Sequence, residues 1–230
     1  MKPLSRLALC ALFVAPLVSA RPATAQVLND HSYRWYWGAQ AGGFLYQTNV
    51  QGYAFDPMFG GHWMITAKRS ALYIGGEQAF FISEARATVF DPNSASGLRD
   101  ATFSQVRRLF VGLLAFPLQK RIEPYAGGGF AIMTVQNAVA DCSNTTPNSQ
   151  CATANDQFSA QSVVDDAGST AVAWIMAGFQ INTVSRLAIY GQYMLTSASN
   201  NFLISGSTHS IQGGIRYAIG SSKEDVNTAH

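Results

Sequence analysis

Ser210-Ile-Gln-Gly-Gly-Ile-Arg-Tyr-Ala-Ile219 carries two unlike faces. In an extended strand successive side chains point to opposite sides. Ile211, Gly213, Ile215, Tyr217 and Ile219 then share one face, and Ser210, Gln212, Gly214, Arg216 and Ala218 share the other. A soluble sandwich can use such a strand, but so can the wall of a membrane barrel, apolar toward lipid and polar toward the lumen. The rest of the chain decides for the barrel.

Charged residues make up 12% of the chain, against a usual share of about 25%. A soluble surface needs ionic groups, whereas a lipid-facing wall excludes them. No block of Lys and Arg marks a nucleic-acid footprint. At the N-terminus Lys2 and Arg6 make a basic start, Leu7 to Val18 an apolar run, and Ala23-Thr24-Ala25 a small-x-small cleavage site. Residues 1–25 therefore read as a secretory signal peptide, with a cut after Ala20 as the alternative. Leu7-Ala8-Leu9-Cys10 departs from a lipoprotein acceptor at Leu9, where a small residue is wanted. Removing Lys2, Arg6 and Arg21 with the leader takes the 15 basic residues to 12, against 13 acidic ones. No later apolar segment approaches the roughly 18–20 residues of a spanning helix. If the mature chain spans a membrane, only a closed strand barrel satisfies its backbone there.

Taken in order, alternation predicts strands over about 33–46, 59–67, 71–83, 102–116, 125–135, 169–181 and 186–196, before the closing one. The connections run long, short, long, short, long, short, long, as outer loops and periplasmic turns of such barrels do. A lipocalin-like soluble barrel also has eight strands, but has less reason to segregate its loops so regularly or to be so poor in charge. Trp35 and Trp37 open the first strand and suit an interfacial girdle, with ordinary core aromatics as the alternative. In the third strand Gln78 falls on the apolar face and Phe81 on the polar one, and a bulge near Gly75-Gly76 is expected to move either. The fourth strand is apolar on both faces in its far half, leaving Arg107 or Arg108 as its inward cation. Gly127-Gly128-Gly129 lies within the fifth strand. Glycines there relieve crowding and let aromatics lie over bare backbone; no Lys-Ser/Thr follows to make them a phosphate loop.

Two of these pieces resemble the small outer-membrane barrels of the OmpA/OmpX type. One is Phe116-Pro117 through a basic turn to Pro124-Tyr125-Ala126-Gly127-Gly128-Gly129; the other is the closing strand, where Gln212, Gly214, Tyr217 and Ile219 resemble the signal read by the barrel assembly machinery. The resemblance implies an all-β fold: an eight-stranded antiparallel transmembrane β-barrel over residues 31–220, with long outer loops and short periplasmic turns, in a bacterial outer membrane. Members of that family usually stop at the aromatic end of the last strand, whereas residues 221–230 here follow as a polar tail.

Cys142 and Cys151, the close pair left in an exported chain, read as a disulfide. No His or second Cys pair stands near them, so no metal site is implied, and no organic cofactor either. Within the barrel Arg34, Gln40, Glu77, Gln192 and Arg216, with Gln180 and the fourth-strand Arg, are expected to meet in the lumen. An eight-strand interior is just wide enough for side chains to fill, so a hydrogen-bonded ionic plug is the simpler expectation and a narrow pore for ions or small solutes the alternative. His209 beside Ser210 is the nearest approach to the dyad of a lipopolysaccharide-modifying enzyme, but adjacent strand residues point apart. A nonenzymatic, monomeric structural or adhesion-like protein is expected, with outer-membrane lipid and lipopolysaccharide around it. Its outer loops, carrying Tyr53, Phe55, Phe90, Phe158 and Phe202, are available to a surface ligand or protein.

Overall fold

A computed structural model describes residues 31–224 apart from 119 and 185. The expected leader and residues 225–230 of the expected tail lie outside the described residues. The barrel strands are β1 (His31–Gln47), β2 (Ala54–Ala67), β3 (Ser70–Phe90), β4 (Leu98–Ala115), β5 (Ile122–Gln136), β7 (Ser169–Val184), β8 (Leu187–Thr196) and β9 (Ser205–Glu224). A two-residue strand, β6 (Val139–Ala140), and helix α1 (Ala154–Asp166) lie in the connection between β5 and β7. Each barrel strand pairs antiparallel with its sequence neighbours, β9 lies beside β1, and the wall closes as an eight-stranded antiparallel barrel. The predicted tail begins inside β9, so Ser221–Glu224 continue the strand.

Alternation sets the two faces of the wall. Phe130, Ile175 and Ile211 stand outward and are 71%, 62% and 63% exposed, while Tyr73, Met64 and Met194 on the other face are fully buried. An exposed apolar band of this extent is unfavourable in water and suits hydrocarbon. Trp35, Trp37 and Trp63 belong to it at the turn end, with Trp35 and Trp63 ring centroids 5.2 Å apart. Among the described residues no helix is long and apolar enough to cross a membrane.

Two expectations about β3 change. Its register against β4 shifts between Phe80 and Ala85, not at Gly75-Gly76, where pairing is continuous. Gln78 therefore stays on the outer wall and donates to Gln105 at 2.6 Å. The first two long connections are also shorter than expected, because β2 begins at Ala54, β3 runs to Phe90 and β4 starts at Leu98. The charged and polar residues there alternate with buried Ala85, Ala87, Val89, Ala101 and Phe103, a strand pattern whose core is supplied by other loops.

Those loops pack as a cap. In α1, Thr153 caps the first turn reciprocally with Asp156, and Ala160 and Val164, one turn apart, are the buried stripe. They join Phe103, Val89, Leu203 and Ile204 in one cluster. A disulfide links Cys142 to Cys151. Arg99 donates to Asp91 at 3.0 Å and to the Gln150 carbonyl at 2.9 Å, tying the β3–β4 hairpin to that disulfide loop. Along the other edge of β3, Asn49 takes a strand's place: its amide oxygen accepts from Thr88 N at 3.0 Å and its Nδ2 donates to Thr88 O.

Candidate functional site

The inward face of the wall gathers polar groups from all eight barrel strands into a network along the axis. Glu77 on β3 and Arg108 on β4 are directly paired across the sheet, so Arg108, not Arg107, is the inward cation. Arg108 Nε donates to Glu77 Oε2 at 2.9 Å, with Nη2 on the same oxygen. Glu77 Oε1 accepts from Gln212 at 2.7 Å and from Gln40. Arg108 Nη2 also reaches Ser210 Oγ at 3.0 Å, while Nη1 has no hydrogen-bond partner. Both partners of the pair are almost wholly buried, so each compensates the charge the other would leave stranded in a low-dielectric interior.

Arg216 of β9 occupies the other half. It is 0% exposed and has no carboxylate in contact among the described residues. Its charge is spread instead over Gln180 Oε1 at 2.8 Å, Tyr125 OH at 3.2 Å and Gln192 Oε1 at 3.3 Å. Its guanidinium also lies 4.0 Å from the Tyr190 ring centroid and 4.9 Å from that of Tyr125, positions favoured by the ring quadrupole. Gln180 relays the contact onward, donating to Glu123 at 2.6 Å near the turn end.

Arg216 fixes the tautomer of its neighbour. Its Nε donates to His62 Nε2 at 3.0 Å, and a guanidinium can only donate. His62 Nε2 must then be the acceptor, which leaves the proton on Nδ1, 2.7 Å from Gln40 Oε1. The ring lies against β1 because Gly38 has no Cβ: one placed there would come within 2.2 Å of the imidazole. Gly112 and Gly129 do the same for Trp174, whose ring would meet their Cβ atoms at 2.3 and 2.9 Å. That indole fills the space beside Tyr73 and donates to Phe130 O at 3.0 Å.

Of the expected lumen residues, Gln40, Glu77, Gln192 and Arg216 meet in this interior. Arg34 does not; it is exposed at the turn end, beside Lys68, Arg69 and Lys120 around the mouth. Its strand position has inward parity, but it stands too near the end of β1 to be enclosed. Sequence reading missed His62, Tyr73, Tyr125 and Tyr190 as network members, although all four have inward parity in their strands. Gln212 is buried on the inward face, and Tyr217 and Ile219 lie on the outer wall, about half exposed. His209 and Ser210 diverge: His209 meets the Tyr193 hydroxyl at 2.5 Å outside, and Ser210 is buried inside. The described residues hold no cluster of three metal-ligating side chains.

At the loop end the cap leaves an open cleft of about 1130 Å³, bordered by Asn49, Thr88, Phe90, Asp166, Asn200 and Phe202 among others. Amide, hydroxyl and aromatic groups around one concavity can offer hydrogen bonds and a stacking surface to a polar ligand.

No protein-family model matches the sequence, and no curated protein does. Among solved structures the chain is similar to Neisserial surface protein A, with a TM-score of 0.53 and 11% identity over 80% of this chain and 96% of that one. It is also similar to the N-terminal β-barrel domain of Pseudomonas aeruginosa OprF, at TM-score 0.43 and 9% identity over 80% of this chain and 97% of that one. The attachment invasion locus protein Ail of Yersinia pestis matches at TM-score 0.40 and 12% identity, over 81% of this chain and 99% of that one. The first of these likenesses bears on the fold alone, the closed eight-stranded antiparallel barrel described above.

Proposed function

We propose that the protein is an integral barrel of a bacterial outer membrane with a structural and surface-interaction role, its lumen closed by side chains and its folded cap presented outward. The observation that carries this reading is the filled interior, in which Glu77, Arg108 and Arg216 are each no more than 3% exposed. A conduction path needs hydrated space, and here the charged groups bond to neighbouring side chains, Arg108 to Glu77 and Arg216 to Gln, Tyr and His. The divergence of His209 and Ser210 speaks against a hydrolytic dyad. The barrel acts as a monomer, reaches the membrane through the assembly machinery by way of Gln212, Gly214, Tyr217 and Ile219, and sits among lipid and lipopolysaccharide. The cap cleft is where a surface ligand would meet it.

Planar-bilayer recording combined with a cell-adhesion assay tests the reading. The wild-type barrel is expected to give no steady unitary conductance. Replacing residues 137–168 by a short turn should abolish adhesion of expressing cells, while Arg216→Ala should leave it intact. Steady conductance that changes with Arg216→Ala favours the pore instead. Loss of turnover on lipopolysaccharide when Ser210 becomes Ala favours an enzyme.

A further inference from the structure

The turn end of the barrel carries positive charge that the lumen network does not use. Arg34 on β1, Lys68 and Arg69 in the β2–β3 turn, Lys120 and Arg121 in the β4–β5 turn and Arg186 in the β7–β8 turn are all exposed. Three separate turns and the start of β1 thus bring cations to the same end of the wall. Arg34, Lys68, Arg69 and Lys120 border a concavity of about 700 Å³. Glu123 stands among them and accepts from Gln180 at 2.6 Å, so cations outnumber acids in this lining. The loop end has the opposite character, with Glu84, Asp100, Asp141, Asp156, Asp165 and Asp166 in the cap.

The height of the cations names their partner. Indoles on a barrel's outer wall settle at headgroup level, and Trp35, Trp37 and Trp63 are the indoles at this edge. Arg34 directly precedes Trp35, and Trp35 pairs with Ile65, a short step from Lys68 and Arg69. The cations therefore stand at the edge of the apolar band, in the layer that lipid phosphates occupy. Guanidinium groups match phosphate oxygens in a two-point fork and ammonium groups as point charges, and both act within the Debye length of about 8 Å at physiological salt.

We propose that this basic rim binds the phosphates of anionic phospholipids, of the phosphatidylglycerol class, in the leaflet at the turn end. The site rests on the membrane-barrel reading and adds to it a lipid preference confined to one leaflet.

The same indoles supply a local probe. The folded full-length barrel is reconstituted into phosphatidylcholine vesicles carrying a minor fraction of brominated phosphatidylglycerol or, in parallel, brominated phosphatidylcholine, and tryptophan quenching is compared. Trp174 is buried in the lumen and gives a constant background. At low salt the brominated anionic lipid is expected to quench at least about threefold more effectively, since each basic side chain at the surface adds to the attraction. The difference should collapse in about 1 M salt, where the Debye length is about 3 Å. It should also collapse in the combined variant Lys68→Gln, Arg69→Gln, Lys120→Gln, Arg121→Gln. Equal quenching by the two lipids in the wild type, or a preference that survives salt, overturns the proposal whether or not the variant folds. Heat-modifiable gel mobility of the same samples separates the two readings: a barrel that inserts without lipid preference removes only the rim site, whereas a chain that does not insert removes the barrel as well.

Discussion

Glu77 shows how far a single carboxylate can organise an interior. It accepts from Arg108, Gln40 and Gln212, which come from three other strands. Converting Glu77 to Gln leaves Arg108 buried without a counter-charge, which costs about 3–5 kcal/mol. The expected result is a marked drop in the urea midpoint of liposome-embedded barrel, while the double variant Glu77→Met, Arg108→Met should recover most of the loss. Gly38→Ala is expected to cost about 1–3 kcal/mol by forcing the His62 imidazole away from β1; the same unfolding measurement reads it. The inward parity of Gln40, Glu77, Gln192 and Arg216 was legible from alternation alone. What alternation could not supply was depth. Arg34 shares their parity yet lies outside, because enclosure depends on where the wall begins. It also gave no reason to favour Arg108 over Arg107, since Leu109 to Leu114 are apolar on both faces; the cross-strand pairing with Glu77 decides it.

At the level of elements, the turns and the wall were readable and the cap was not. Short turns with basic residues sit between strands of plain alternation, and both features are local. The cap depends on contacts between loops distant in sequence: β3 beyond Ser83 reads as polar connection until Phe103, Val164 and Leu203 provide a core for Ala85, Ala87 and Val89. Helix α1 had a signal in Thr153 and Asp156, a capping box followed by Ala160 and Val164, but its apolar stripe is too narrow to stand out. The buried pair Asp91–Arg99 ties the cap together. Asp91→Ala is expected to expose residues 137–168 to limited proteolysis while the heat-modifiable mobility of the barrel stays unchanged. Joint replacement of Cys142 and Cys151 by Ser should act in the same direction, with a loss of about 2–3 kcal/mol confined to the cap.

On the scale of the whole molecule, charge is biased by location: acids outnumber cations in the cap, cations outnumber acids at the turns, and a compensated pair plus Arg216 lies between them. The outer wall is interrupted near its loop side by Gln78, Gln105 and Arg107, which bond among themselves, with Phe80 and Ile82 exposed beyond Gln78 on the same face of β3. On the proposed reading the closed interior excludes solute traffic and the open cap cleft serves recognition. Removing both plug charges, with Glu77→Ala and Arg108→Ala together, is expected to convert a silent barrel into one with brief, flickering openings in planar bilayers; continued silence would mean that the remaining Gln and Tyr side chains suffice to seal it.

Arg216 arrives on the last strand, yet its partners His62, Tyr125, Gln180 and Gln192 come from four earlier ones. Until β9 docks, the acceptor sites on those groups that receive Arg216 have only water to bond. A polypeptide halted one strand short of completion would hold a waterlogged cleft in place of a dry axis, and expulsion of that water becomes the closing event of its assembly.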